Sequence, residues 1–71
     1  MTYNELLATR RFNFNKLTKK HNAWSISNWY GCSPSYISQL RTGARPITER
    51  TARKLEHVCG LRPKALDRVS A

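Results

Sequence analysis

Ser35, Ser38, Gln39 and Thr42 recur at i, i+3, i+4 and i+7, a spacing that gathers them into one stripe if the segment is helical. The stripe is short, polar and uncharged. Solvated helix faces more often carry Glu, Lys and Arg, which have better helix propensity than Ser or Thr. Small hydroxyls let a helix approach a DNA major groove closely, and an amide such as that of Gln39 can form a bidentate pair with adenine. A merely solvated face on a weak helix is the alternative reading of the same residues.

The charge of the chain bears on that choice. In 71 residues, 13 Lys and Arg oppose 4 Asp and Glu, a formal net charge of +9. Such a surplus on a small domain favours polyanions, whether DNA, RNA or an anionic membrane face. The basic residues are spread from Arg10 to Arg68 with no long like-charged block, unlike a disordered basic tail. After Pro46, the residues Arg50, Arg53, Lys54 and His57 share one helical stripe opposite Ala52, Leu55 and Cys59. Its distal members read as a solvated face. Arg50 differs, because it falls in the first turn, near where phosphates would pass.

Other chemistries find less support. Two histidines and two cysteines match the ligand count of a zinc finger but not its spacing: on a helix His57 and Cys59 point about 200° apart, and no short Cys pair exists. Cys32 and Cys59 read as core thiols. The carboxylates are scattered, no Gly-rich loop could cradle phosphate, and no nucleophile has an evident base. The expectation is therefore a protein without enzymatic activity, metal, cofactor or small-molecule substrate. The longest uninterrupted apolar stretch is Leu6-Leu7-Ala8, too short for a membrane span, and the N-terminus lacks the basic start and apolar run of a leader. A soluble, cytoplasmic protein is expected, with no membrane partner.

The elements that must hold these residues are punctuated by one pattern, Gly-x-x-Pro, which takes in all three glycines and all three prolines, at Gly31–Pro34, Gly43–Pro46 and Gly60–Pro63. Glycine ends a helix in the left-handed conformation and proline suits the first turn of the next. The junctions predict helices near 23–30, 33–42, 47–59 and 62–69, preceded by helical sequence within 2–21. In that first segment Tyr3, Leu7, Phe14 and Leu17 suit one face while Phe12, Asn13 and Asn15 do not, so one helix or two are both open. Asn22 is positioned as an N-cap, and Ala23, Ile26 and Tyr30 point inward. Trp29 is expected at least partly in the core and Trp24 exposed. No run alternates as a strand would. The chain reads as one domain, 1–71, an all-α compact bundle of about five short helices.

A segment of about eight residues followed by a three-residue turn opening on Gly31 matches the helix-turn-helix arrangement, here near 23–42. With Ile26, Tyr30, Gly31, Cys32, Ile37 and Leu40 at apolar and turn positions, with Ser33 to Gly43 as a recognition helix and exit loop, and with Arg45 to Glu56 as the next helix, the sequence resembles the phage Cro and lambda-type repressor (XRE-like) helix-turn-helix family. The resemblance runs from about Leu17 to Asp67. It implies base contacts from Pro34, Ser35, Ser38 and Gln39, and phosphate contacts from Ser33, Arg41, Thr42 and Arg45, to which Arg50 is added by its position. Ala23 departs from the polar phosphate-contacting residue that many members carry there, and Ser27 replaces the small residue, commonly alanine, beneath the turn. That substitution is tolerable if the hydroxyl bonds back to its own helix. The expectation is a sequence-specific double-stranded DNA-binding transcriptional regulator, a Cro-like phage or prophage repressor acting on its operator as a homodimer in the bacterial cytoplasm. Two other roles stay open: the antitoxin of a toxin–antitoxin pair with the same fold, and a basic module that binds an acidic protein or RNA.

Overall fold

Thr2 and Glu5 start the first helix by holding each other's backbone: the Glu5 N–H donates to the Thr2 hydroxyl and the Thr2 N–H to the Glu5 carboxylate, both at 3.2 Å. This reciprocal cap satisfies N–H groups that a helix start leaves without partners. The computed structural model describes residues 2–68. In it the segment left open between one helix and two is a single α1, Tyr3–Lys20. The residues that fitted its apolar face poorly make tertiary ties instead. Asn13 Nδ2 donates to the carbonyls of Leu66 and Arg68, and Asn15 Nδ2 to that of Arg41. Tyr3, expected to face inward, is 60% exposed, because it sits in the first turn, beyond the packed part of the helix.

Three further helices follow: α2 (Ala23–Tyr30), α3 (Pro34–Thr42) and α4 (Glu49–Val58). Asn22 caps α2 by accepting the Ser25 N–H at 2.8 Å, and Ser33 caps α3 by accepting that of Tyr36 at 3.2 Å. Among the described residues there is no strand, and the chain is all-helical with four α-helices. The helix expected over 62–69 shrinks to a single 3-10 turn, Ala65–Asp67, and position 69 lies outside the described residues. Lys64 ahead of it has left-handed backbone, φ 65°, which an α-helix cannot accommodate. The buried Glu56 carboxylate of α4 accepts the N–H groups of Lys64 and Leu66, each at 2.9 Å. Side chains of α1 and α4 thus take up backbone groups that a longer helix would pair within itself.

The core is built from Phe14 and Leu17 of α1, Ile26 of α2, Ile37 and Leu40 of α3, Ile47 before α4, Ala52 and Leu55 within it, and Leu66. Full burial of side chains such as Phe14 or Leu55 contributes roughly 1.5–3 kcal/mol each. Trp29 is not among them: at about 100° per residue, Trp24 and Trp29 fall on either side of the arc occupied by Ala23, Ile26, Ser27 and Tyr30. They are 65% and 47% exposed, and Trp29 lies edge-on against His21 with centroids 5.1 Å apart. Both thiols are free and partly buried against the core, where burial pushes their pKa values up and keeps them protonated.

Candidate nucleic-acid interface

The turn between α2 and α3 sets the direction of the second helix. Gly31 at φ 86° ends α2, with its N–H on the Ser27 carbonyl at 2.8 Å and the Cys32 N–H on the same oxygen at 3.0 Å. A left-handed residue is needed there, which glycine adopts without strain. Ser27 beneath is almost fully buried, and its hydroxyl returns to the Trp24 carbonyl at 2.7 Å, the back-bond that makes a serine tolerable at that position. Ile37 and Leu40, both at 0% exposure, then pin one side of α3 to the core.

The opposite side of α3 faces solvent. Ser33, Pro34, Ser35, Ser38, Arg41 and Thr42 are all exposed. The Ser33 hydroxyl is already engaged as the cap, leaving its proton to donate. Ser35 and Ser38 stand on the outer face, while Thr42 donates weakly to the Gln39 carbonyl at 3.4 Å. The uncharged stripe legible in the sequence is therefore a surface feature of the folded chain, anchored from behind by apolar burial.

Gln39 differs from its neighbours. It is half-buried, and its Oε1 accepts from Arg45 Nε at 2.5 Å. The Arg45 backbone N–H also donates to the Gln39 carbonyl at 3.2 Å, and the guanidinium sits 5.6 Å from the centre of the Tyr36 ring. Tyr36 leans on Tyr30 with centroids 5.9 Å apart, and Lys54 Nζ of α4 lies 4.3 Å from the Tyr30 ring. A row of cation, two rings and cation therefore runs from α4 through α2 and α3 to the loop after α3. Cation–ring contacts of this kind contribute about 0.5–2 kcal/mol. The interactions of Arg45 with Gln39 and Tyr36 have no counterpart in the sequence reading, which assigned Arg45 to phosphate alone. The Tyr36 side chain at i−3 from Gln39, with an arginine three residues past the helix end, is the only sequence trace of this arrangement.

Arg11 is a second residue that sequence reasoning left out of the site. It lies against the exit loop of α3, its guanidinium occupying the space that a Cβ on Gly43 would need. With Leu7, Gly43, Arg45, Pro46 and Ile47 it lines an open cleft of about 230 Å³. Its place on the same face of α1 as Leu7 and Asn15 is the signal that could have found it. Arg50 is exposed in the first turn of α4, beyond that loop.

The interior takes up part of the charge. Arg10 is 2% exposed, and its guanidinium bonds both oxygens of Asp67 at 2.7 and 3.3 Å and the Ile47 carbonyl at 3.1 Å. Its hydrogen bonds hold the Asp67 carboxyl below the usual carboxylate range, and Arg53 adds to the effect. Arg53, expected on a solvated face, is instead half-buried and pairs with Asp67 at 2.8 Å and Glu56 at 3.1 Å. Four residues before Phe14 and seven before Leu17, Arg10 lies on the apolar stripe of α1, and Glu56 likewise lies between Leu55 and Cys59 on that of α4. Two of the four acids, Glu56 and Asp67, thereby face inward and Glu5 is spent on a helix cap. Arg10 and Arg53 are withdrawn together with Glu56 and Asp67, so the net charge of +9 is unchanged and the remaining surface carries few acids among its basic residues, a distribution that favours polyanions.

Comparison with protein-family models, with curated proteins and with solved structures finds no match to this chain. Among the described residues, no helix is long and apolar enough to cross a membrane, and no group of three or more His, Cys, Asp or Glu side chains could hold a metal ion.

Proposed function

We propose that the chain is a sequence-specific double-stranded DNA-binding transcriptional regulator of the helix-turn-helix type, resembling Cro-like phage repressors and acting in the cytoplasm as a homodimer on its operator. The two-sidedness of α3 carries this reading: Ile37 and Leu40 are fully buried while Pro34, Ser35 and Ser38 project outward beside Arg41, on a helix of nine residues. A groove about 12 Å wide admits such a helix, and short hydroxyls let its backbone come close. In this mechanism Ser35, Ser38 and Gln39 meet base edges with Pro34 at the point of entry. Ser33, Arg41, Thr42, Arg45 and Arg50 meet phosphates, which sets register without reading sequence.

Selection of bound duplexes from a random pool tests the proposal. The expected product is a palindromic consensus with half-sites about one helical turn apart. Gln39→Ala should weaken the best duplex by about 1–3 kcal/mol, relax preference at one position per half-site and leave random DNA nearly untouched. A pool that stays unenriched, with a folded protein, refutes sequence-specific DNA binding. Enrichment without two-fold symmetry refutes only the homodimer.

A further inference from the structure

We propose that Arg45 is a positioning residue that turns Gln39 from a reader of adenine into a reader of guanine. This rests on the DNA-reading role of α3. A lone glutamine recognises adenine by accepting from N6–H through Oε1 and donating to N7 through Nε2. In this protein one of the two lone pairs of that oxygen is already taken by Arg45. Arginine can only donate, so the amide must turn its oxygen toward Arg45 Nε and its NH2 away from it. The orientation is fixed by chemistry, because the opposite flip would set donor against donor.

Three contacts hold the arrangement before any DNA arrives. The Arg45 side chain bonds the Gln39 side chain, the Arg45 N–H bonds the Gln39 carbonyl, and the guanidinium rests against the Tyr36 ring. Bonds from a charged donor are among the stronger hydrogen bonds, so the oxygen is not readily surrendered. Apart from the second lone pair of that oxygen, the remaining groups of the pair are the Gln39 NH2 and the Arg45 Nη atoms, all donors. Guanine presents two acceptors, O6 and N7, in the major groove, whereas adenine places an N6–H2 donor where guanine has O6. An adenine N6–H would have to share an oxygen with a guanidinium and lie beside a positive charge. A pair dominated by donors and carrying a positive charge therefore favours guanine over adenine.

The test is selection from a random duplex pool by four proteins: the parent, Gln39→Ala, Arg45→Ala and Arg45→Lys, each first shown by circular dichroism to be folded. The read position is the one at which Gln39→Ala loses its preference. The parent should select guanine there, roughly 5- to 150-fold over adenine. Arg45→Ala frees the amide oxygen, so the same position should switch to adenine. Arg45→Lys keeps the charge that a phosphate needs but not the fork that holds the amide, and should lose the guanine preference as well. Replacing the guanine by 7-deazaguanine, which lacks the N7 acceptor, should weaken parent binding about tenfold and leave Arg45→Ala unaffected. A parent that selects adenine, or an Arg45→Ala variant that keeps guanine while losing affinity uniformly, overturns the positioning role and leaves α3 as a DNA reader. A parent with no base preference anywhere overturns both proposals.

Discussion

Glu56→Gln offers the most direct test of what holds the C-terminal segment in place. The Glu56 carboxylate is 2% exposed and accepts the N–H groups of Lys64 and Leu66, one on each oxygen, both at 2.9 Å, with Arg53 Nε at 3.1 Å. Glutamine is nearly isosteric but has one acceptor oxygen, so one of these N–H groups must face an NH2 group. A hydrogen bond to a charged group contributes about 1.5–3 kcal/mol, and the bond that survives becomes a weaker neutral one. The loss should therefore be about 2–3 kcal/mol. At about 0.05–0.15 kcal/mol per residue, the whole domain is worth only about 4–11 kcal/mol. For a domain of this size each kcal/mol moves Tm by roughly 4–8 °C, so a drop of about 8–24 °C is expected. Thermal melts followed by circular dichroism, with urea titrations to confirm an unchanged m-value, measure it. A Tm within about 3 °C of the parent would mean that water or a shifted backbone replaces the carboxylate, and the proposed role of Glu56 would be wrong.

Three further outcomes follow from other contacts. The Asp67 pKa is lowered chiefly by its hydrogen bonds from Arg10 and lies below its unfolded value, so its contribution is present above about pH 4, the unfolded range, and is lost as pH falls through the folded pKa; Asp67→Asn should flatten the parent's acid-side loss of Tm, and parallel curves would contradict the assignment. Gly43→Ala must adopt φ 88° and displace the tip of the flexible, exposed Arg11 side chain, whereas Gly31→Ala at φ 86° meets nothing within 4 Å; the end of such a side chain moves cheaply, so both should cost roughly 1 kcal/mol of backbone strain in urea titrations, and a Gly43→Ala cost several-fold larger that Arg11→Ala relieves would contradict this. Arg41→Ala should weaken specific and random DNA alike and lower the slope of log K against log salt by about one unit, and an unchanged slope would remove Arg41 from the phosphate contacts.

Local chemistry decided a good deal of this protein. Gly31 and Gly43 end helices in left-handed backbone, Asn22 and Ser33 start them, and the all-helical class of the described residues follows from signals spanning no more than a helical turn. The buried pair Ile37 and Leu40 and the exposed stripe of Ser35, Ser38 and Thr42 were equally legible, because side chains on a helix repeat with a fixed angle. The capping box of Thr2 and Glu5 was there to be found by the same logic. Long-range contacts left weaker traces. Arg10 meets Asp67 across 57 positions and Ile47 across 37, and nothing in a local window says that a charged residue on an apolar stripe will find its partner there. The 3-10 turn in place of a fifth helix depends on Glu56 and Asn13 capturing its backbone groups, an event of packing rather than propensity. The coupling of Gln39 to Arg45 lies between these cases: only six residues separate the two, but the loop that folds back over Tyr36 brings their side chains together. Helical periodicity determines which way a side chain faces, whereas the hydrogen bonds left to it at the surface depend on where the rest of the chain has packed.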